Sequence, residues 1–160
     1  MSGSVHMLPQ LACYELVIPA CRWRNDSRLG FTAARQPGSL HRPTPQGAIL
    51  FIAPGRWLVV GDALEAEAQA IARMQAADAA VIDVTAKWCR LHIAGTEAHG
   101  SLSRVLDLHQ VLGKRDCASV TVLDCPAVLA RCEGGYELWV TRSCVEWLCE
   151  TLVRLPGWSL

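Results

Sequence analysis

Val81-Ile82-Asp83-Val84-Thr85-Ala86-Lys87-Trp88 decides the fold when it is read with two partners. These are Gly55-Arg56-Trp57-Leu58-Val59-Val60 before it and Gly135-Tyr136-Glu137-Leu138-Trp139-Val140 after it. Each is a short run rich in β-branched and aromatic residues, bounded by glycine or a polar turn, which is the composition of a strand. Cys89 to Ala94 continues the first run with clean alternation: Cys89, Leu91 and Ile93 on one side, Arg90 and His92 on the other. Pro54-Gly55 suits the centre of a type II turn, so Ile49–Ile52 and Trp57–Val60 read as a hairpin.

Further strands are predicted at Ala80–Val84, Ala118–Leu123, Ala127–Cys132 and Tyr136–Val140, the last two joined by a hairpin whose positive backbone angles Gly134-Gly135 would supply. Tyr14–Ile18, ended by Pro19, reads as an edge strand. Three helices complete the pattern. Asp62 with Glu65 caps one that ends near Ala76, and Gly95-Thr96 opens a second through Ala98, Leu102, Val105 and Leu106. Ser143 with Glu146 forms a capping box for a third, whose apolar stripe is Val145, Leu148, Cys149, Leu152 and Leu155. Leu108–Asp116 reads as a connecting loop, and residues 33–47, with Gln36-Pro37-Gly38-Ser39 and Arg42-Pro43-Thr44-Pro45, as a flexible one.

The expected class is therefore α+β, with antiparallel sheet covered by helices on one face. At 160 residues the chain suits a single domain. Residues 49–76 and 129–155 repeat a hairpin-then-helix pattern about 80 positions apart, which favours two ferredoxin-like halves.

Composition narrows the function. Half the residues, 51%, are apolar, enough for a substantial core. Fifteen basic residues balance fifteen acidic ones, so no field exists to draw nucleic acid or an anionic membrane surface. No apolar run approaches the roughly 20 residues that span a bilayer, and the N-terminus does not read as a signal peptide. The eight cysteines include no Cys-x-x-Cys pair and several fall on apolar faces, so they read as reduced core thiols of a cytoplasmic protein.

Candidate reactive groups are sparse. Cys89 and His92 are three apart on a strand and point to opposite faces, so they cannot easily share a metal ion. His99 and His109 read as solvated surface residues. Cys144 is the best-placed thiol, because free amides at a helix start favour a thiolate, yet no histidine is near it in sequence. Asp83 either binds a pterin or amine nitrogen or, as the simpler reading, accepts hydrogen bonds around Thr85 at a strand end. Trp57, Trp88 and Trp139 read as sheet and core fillers, and Trp23 and Trp158 as marks of a contact surface.

The ordered segments Pro54-Gly55-Arg56-Trp57-Leu58, Asp83-Val84-Thr85-Ala86-Lys87-Trp88, Leu91-His92-Ile93-Ala94-Gly95, Cys117-Ala118 and Gly135 to Val140 with Arg142-Ser143 resemble the gamma subunit family of heterotetrameric sarcosine oxidase. The resemblance runs from about Ile49 to Leu155 and implies a fold like the N-terminal part of aminomethyltransferases. It implies a non-catalytic accessory subunit of an amine-oxidising flavoenzyme in one-carbon metabolism, within a hetero-oligomer of alpha-like and beta-like partners. FAD, FMN, NAD and tetrahydrofolate are then expected on the partner subunits and none in this chain. It assigns no catalytic, cofactor or metal residue, and its motif positions Gly55, Trp57, Asp83, Gly95, Tyr136 and Ser143 are structural. The alternative implied by the fold is a folate- or pterin-binding protein. The portion before Ile49 is shorter than in that family, and the large second barrel of aminomethyltransferases is absent from this sequence.

Overall fold

The computed structural model describes residues 3–18, 38–42, 47–61, 80–156 and the backbone of 158–159. The predicted helix from Asp62 to Ala76, Trp23 and most of 33–47 lie outside the described residues. The strands are β1 Gly3–Met7, β2 Cys13–Val17, β3 Leu40–His41, β4 Ala48–Ala53, β5 Arg56–Val60, β6 Ala80–Asp83, β7 Trp88–Ala94, β8 Cys117–Val122, β9 Cys125–Cys132, β10 Gly135–Thr141 and β11 Trp158–Ser159. The described helices are α1 Ala98–Leu102, α2 Leu108–Val111 and α3 Val145–Arg154, the last entered through a 3₁₀ turn at Arg142–Cys144.

The chain divides into two compact units, Leu11–Thr85 and Met1–Gln10 with Ala86–Leu160. The first holds a sheet in the order β3-β4-β5-β2-β6, and the second a sheet in the order β11-β1-β7-β10-β9-β8. Every pairing is antiparallel except β1 with β11. In the first unit, with β3 set aside, the four strands lie fourth-first-third-second as β6-β2-β5-β4. In the second, β11-β7-β10-β9 repeat that order once the inserted β1 and the outer β8 are set aside. This is the ferredoxin-like strand order, present twice.

The two sheets also share an electrostatic detail. Glu15 on β2 lies opposite Leu58 and pairs diagonally with Arg56 on β5. Arg90 on β7 lies opposite Trp139 and pairs diagonally with Glu137 on β10, at 2.9 Å. First and third strands are thus joined at equivalent places with the charges exchanged. Both carboxylates are buried, so each depends on its guanidinium partner. Equating the pairs sets Leu58 against Trp139 and shifts the correspondence one position beyond the spacing read from the sequence.

In the second unit the helices cover one face of the sheet. Leu91 and Ile93 of β7, Leu138 and Val140 of β10 and Leu129 of β9 pack with Leu102 of α1, Leu108 of α2 and Leu148 and Leu152 of α3. The predicted stripe of α3 is the face that packs, with Cys149 and Leu155 at its margin. Its first turn departs from expectation. Cys144 occupies the position before α3 with no side-chain cap, and the 3₁₀ turn satisfies the Val145 amide through the Arg142 carbonyl, so Ser143 and Glu146 form no capping box.

Other elements correct the sequence reading. Strand β2 is interior rather than an edge, flanked by β5 and β6, and its paired residues Cys13–Val17 contain no proline. Leu40 and His41, within the segment read as loop, pair with Leu50 and Ile49. Helix α1 ends at Leu102, although Val105 and Leu106 still reach the core. The connection from Leu108 contains α2, capped by Asp107, whose Oδ1 accepts from the Gln110 amide at 2.9 Å.

The glycines divide their work. Gly55 takes a φ of 74° after Pro54, as the type II turn requires. At the β9–β10 turn only Gly134 has a positive φ, 77°. Gly135 serves close approach instead, since a Cβ there would overlap the Ile93 carbonyl of β7.

Candidate functional site

The end of the second unit's sheet opens into a groove of about 790 Å³. Its floor is where β7 runs out at Ala94-Gly95 and the β9–β10 turn closes at Gly134-Gly135, and α1 forms its wall. The alternation of β10 points Tyr136 to the helix-covered face, where its ring is buried. The phenol reaches the rim and shares a hydrogen bond of 2.8 Å with His99 Nδ1 on α1. Buried tyrosine needs such a partner for its hydroxyl. Arg131 also lines the groove, but its guanidinium donates to the Arg115 and Gly113 carbonyls at 3.3 and 3.2 Å and so holds the segment that follows α2.

Chemically the groove is an apolar cleft with a tyrosine–histidine pair at its edge. Such a surface can seat a flat or apolar group and offer it one hydrogen bond. Among the described residues no three His, Cys, Asp or Glu side chains gather as metal ligands. Cys89 is buried on the helix-covered face, while His92 points to the other side of β7, as the strand period requires.

The motif positions separate into two groups. Gly95 and Tyr136 meet at the groove, while Ser143 sits on the exposed 3₁₀ turn. Gly55, Trp57 and Asp83 belong to the first unit. Trp57 is fully buried and stacks on Phe51 with ring centroids 4.6 Å apart. Trp88 and Trp139 are buried as expected, whereas Trp147 on α3 is exposed. Asp83 lies at the exposed end of β6, where its Oδ1 accepts from the Thr85 amide at 2.9 Å. That hydrogen bond, with a second from the Thr85 side chain, holds the Asp83 carboxyl below the usual aspartate range. The simpler reading of Asp83 is the one observed. Thr85 itself links β6 back to β2, its hydroxyl accepting from the Cys13 amide at 2.9 Å.

His99 and His109 are both exposed, as read, but His99 is also tied to a residue 37 positions away, which no local pattern could signal. The Arg142 role was likewise hidden. Its backbone amide donates to the Lys87 carbonyl, and its guanidinium donates to the Ala86 carbonyl and Gln10 Oε1, clamping the start of β7. Cys144 does have a thiol held below its usual range, but through side-chain hydrogen bonds with Thr141, Ser143 and Cys125.

No family model matches the chain, and no curated protein does. Solved structures do. A chain of the heterotetrameric sarcosine oxidase from Corynebacterium sp. U-96, in complex with pyrrole 2-carboxylate, superposes with a TM-score of 0.74 at 18% identity, over 95% of this chain and 82% of that one. The glycine cleavage system aminomethyltransferase T from Bartonella henselae superposes with a TM-score of 0.67 at 15% identity, over 99% of this chain. The present chain spans about half the length of that enzyme, 47%. The fold is therefore the aminomethyltransferase-like α+β fold that the sequence resemblance implies, shared with a chain of heterotetrameric sarcosine oxidase.

Proposed function

We propose that this chain is a non-catalytic accessory subunit of a heteromeric, sarcosine oxidase-like, amine-oxidising flavoenzyme. The observation that carries the reading is the extent of the match. The likeness covers 82% of a chain of a heterotetrameric enzyme, against 47% of the glycine cleavage system aminomethyltransferase. The groove agrees with it, since no carboxylate lines it beside the tyrosine–histidine pair. On this reading the flavins, NAD and tetrahydrofolate sit on alpha-like and beta-like partner chains in the cytoplasm. This chain contributes packing surface. No described helix is long and apolar enough to cross a membrane.

Folate or pterin binding by this chain alone finds less support. No carboxylate lines the groove to meet the polar edge of a pterin, and Asp83 is engaged by Thr85 at an exposed turn. Affinity purification of the tagged chain from its native cells tests both readings. Co-elution of larger chains with a flavin absorbance is the expected result. Recovery of a lone chain that takes up tetrahydrofolate in a calorimetric titration would overturn the subunit reading in favour of the other.

A further inference from the structure

The helix-free side of the second sheet carries a row of titratable side chains across three strands. His6 on β1 lies directly opposite His92 on β7, and His92 lies directly opposite Glu137 on β10. Residues facing each other across an antiparallel pair point to the same side of the sheet. Val5 and Leu91, the chain neighbours of His6 and His92, pack under the helices, so both imidazoles project the other way. The Leu8 amide donates to the Arg90 carbonyl at 2.8 Å, two positions along the same register. His6 and His92 are therefore a hydrogen-bonded cross-strand pair, with Cα atoms about 5.5 Å apart. Their Cβ atoms stand about 5 Å apart. From that base two imidazoles can converge on one ion at the roughly 2.0–2.1 Å of a metal–nitrogen bond.

The surroundings favour such a use. His6 Nε2 shares a hydrogen bond of 3.0 Å with Ser4 Oγ on the same strand. A ligating histidine ordinarily makes a contact of this kind through its other ring nitrogen, which fixes ring orientation and tautomer. Donation from Nε2 to Ser4 leaves His6 Nδ1 unprotonated and able to bind a cation. Among the described residues no hydrogen bond engages either ring nitrogen of His92. His6 is exposed, and His92 lines the groove, so both rings are open to a solute. Glu137 is not a third ligand. Arg90 donates to its Oε1 at 2.9 Å and its Oε2 at 3.3 Å, which leaves a neutral ion pair beside the histidines.

We propose that His6 and His92 form a two-histidine site for a first-row divalent transition ion that favours imidazole (nickel, copper or zinc), with water completing its coordination. The ion ties β1, which is inserted between β11 and β7, to β7 by a link separate from the backbone ladder. It binds the paired strands and not the separated ones, so it stabilises the folded sheet. Both ligands belong to this chain, so the site forms with or without partner subunits.

Nickel ion is the probe, because it binds imidazole without oxidising the free thiols of the chain. Calorimetric titration of the full-length chain with nickel chloride should show one site per chain. His6→Asn and His92→Asn should each weaken binding roughly tenfold or more, while His109→Asn, on α2, should leave it unchanged. Nickel should raise the melting temperature of the wild-type chain and of His109→Asn, but not of the other two variants. The wild-type chain also supplies a test that needs no substitution: paramagnetic nickel should broaden the ring signals of His6 and His92 before that of His109. An affinity that survives either His6→Asn or His92→Asn, broadening centred on other residues, or no binding at millimolar nickel would overturn the inference.

Discussion

Asp83 is exposed and lies on a strand end, yet it fixes the way β6 leaves the first sheet. Its carboxylate accepts from the Thr85 amide, and Thr85 in turn holds the Cys13 amide of β2. Because the folded-state value is lowered, the charged form is the stabilised one. The contribution is present above the unfolded pKa and is lost as pH falls through the lowered folded value. Asp83→Asn should therefore lower the melting temperature at neutral pH. The gap to wild type should close as pH drops below about 4. A gap that persists unchanged to the acid limit would show that the carboxylate charge is not what matters there. Residue chemistry of this kind was legible in the sequence, since both partners lie within three positions. The tie between His99 and Tyr136 was not, because it is made by folding α1 over β10.

At the level of elements, alternation and apolar spacing located the strands and the packing face of α3 well. Some misreadings fall at boundaries, where two local solutions compete for the same backbone groups, and short elements such as β3 and α2 were read as loop. Ser143 and Glu146 match the capping pattern, but a 3₁₀ turn satisfies the Val145 amide first. Asp107 with Gln110 carries the same pattern three residues apart, at the start of the stretch Leu108–Asp116 read as loop, and there the Asp107 cap does form. The β9–β10 hairpin shows a different limit. Two adjacent glycines look alike in sequence, yet Gly134 supplies a positive φ while Gly135 admits the Ile93 carbonyl. Gly135→Ala should accordingly destabilise the chain by about 1–3 kcal/mol, through displacement of β7 from β10. Denaturant titration would check this, and an alanine variant within about 0.5 kcal/mol of wild type would contradict the close-approach role.

For the whole molecule, the doubled strand order and the exchanged ion pairs Glu15–Arg56 and Arg90–Glu137 describe one architecture used twice. Sequence periodicity gave the repeat its approximate spacing but could not fix the register, because a shift of one residue exchanges the two faces of a strand. Only the cross-strand pairing resolves that. The inserted β1 and the parallel β11 were also beyond sequence, since β1 owes its place to β7, more than eighty residues away. Among the described residues the architecture supplies packed core and, at the end of the second unit's sheet, a modest groove. The proposed accessory role would use the remaining surface to dock onto other chains. Sedimentation of the chain in clarified extract of its native cells tests this most directly. The expected result is migration as a complex several times heavier than the free chain, coincident with flavin absorbance; migration at the mass of a single copy, apart from any flavin, would contradict it.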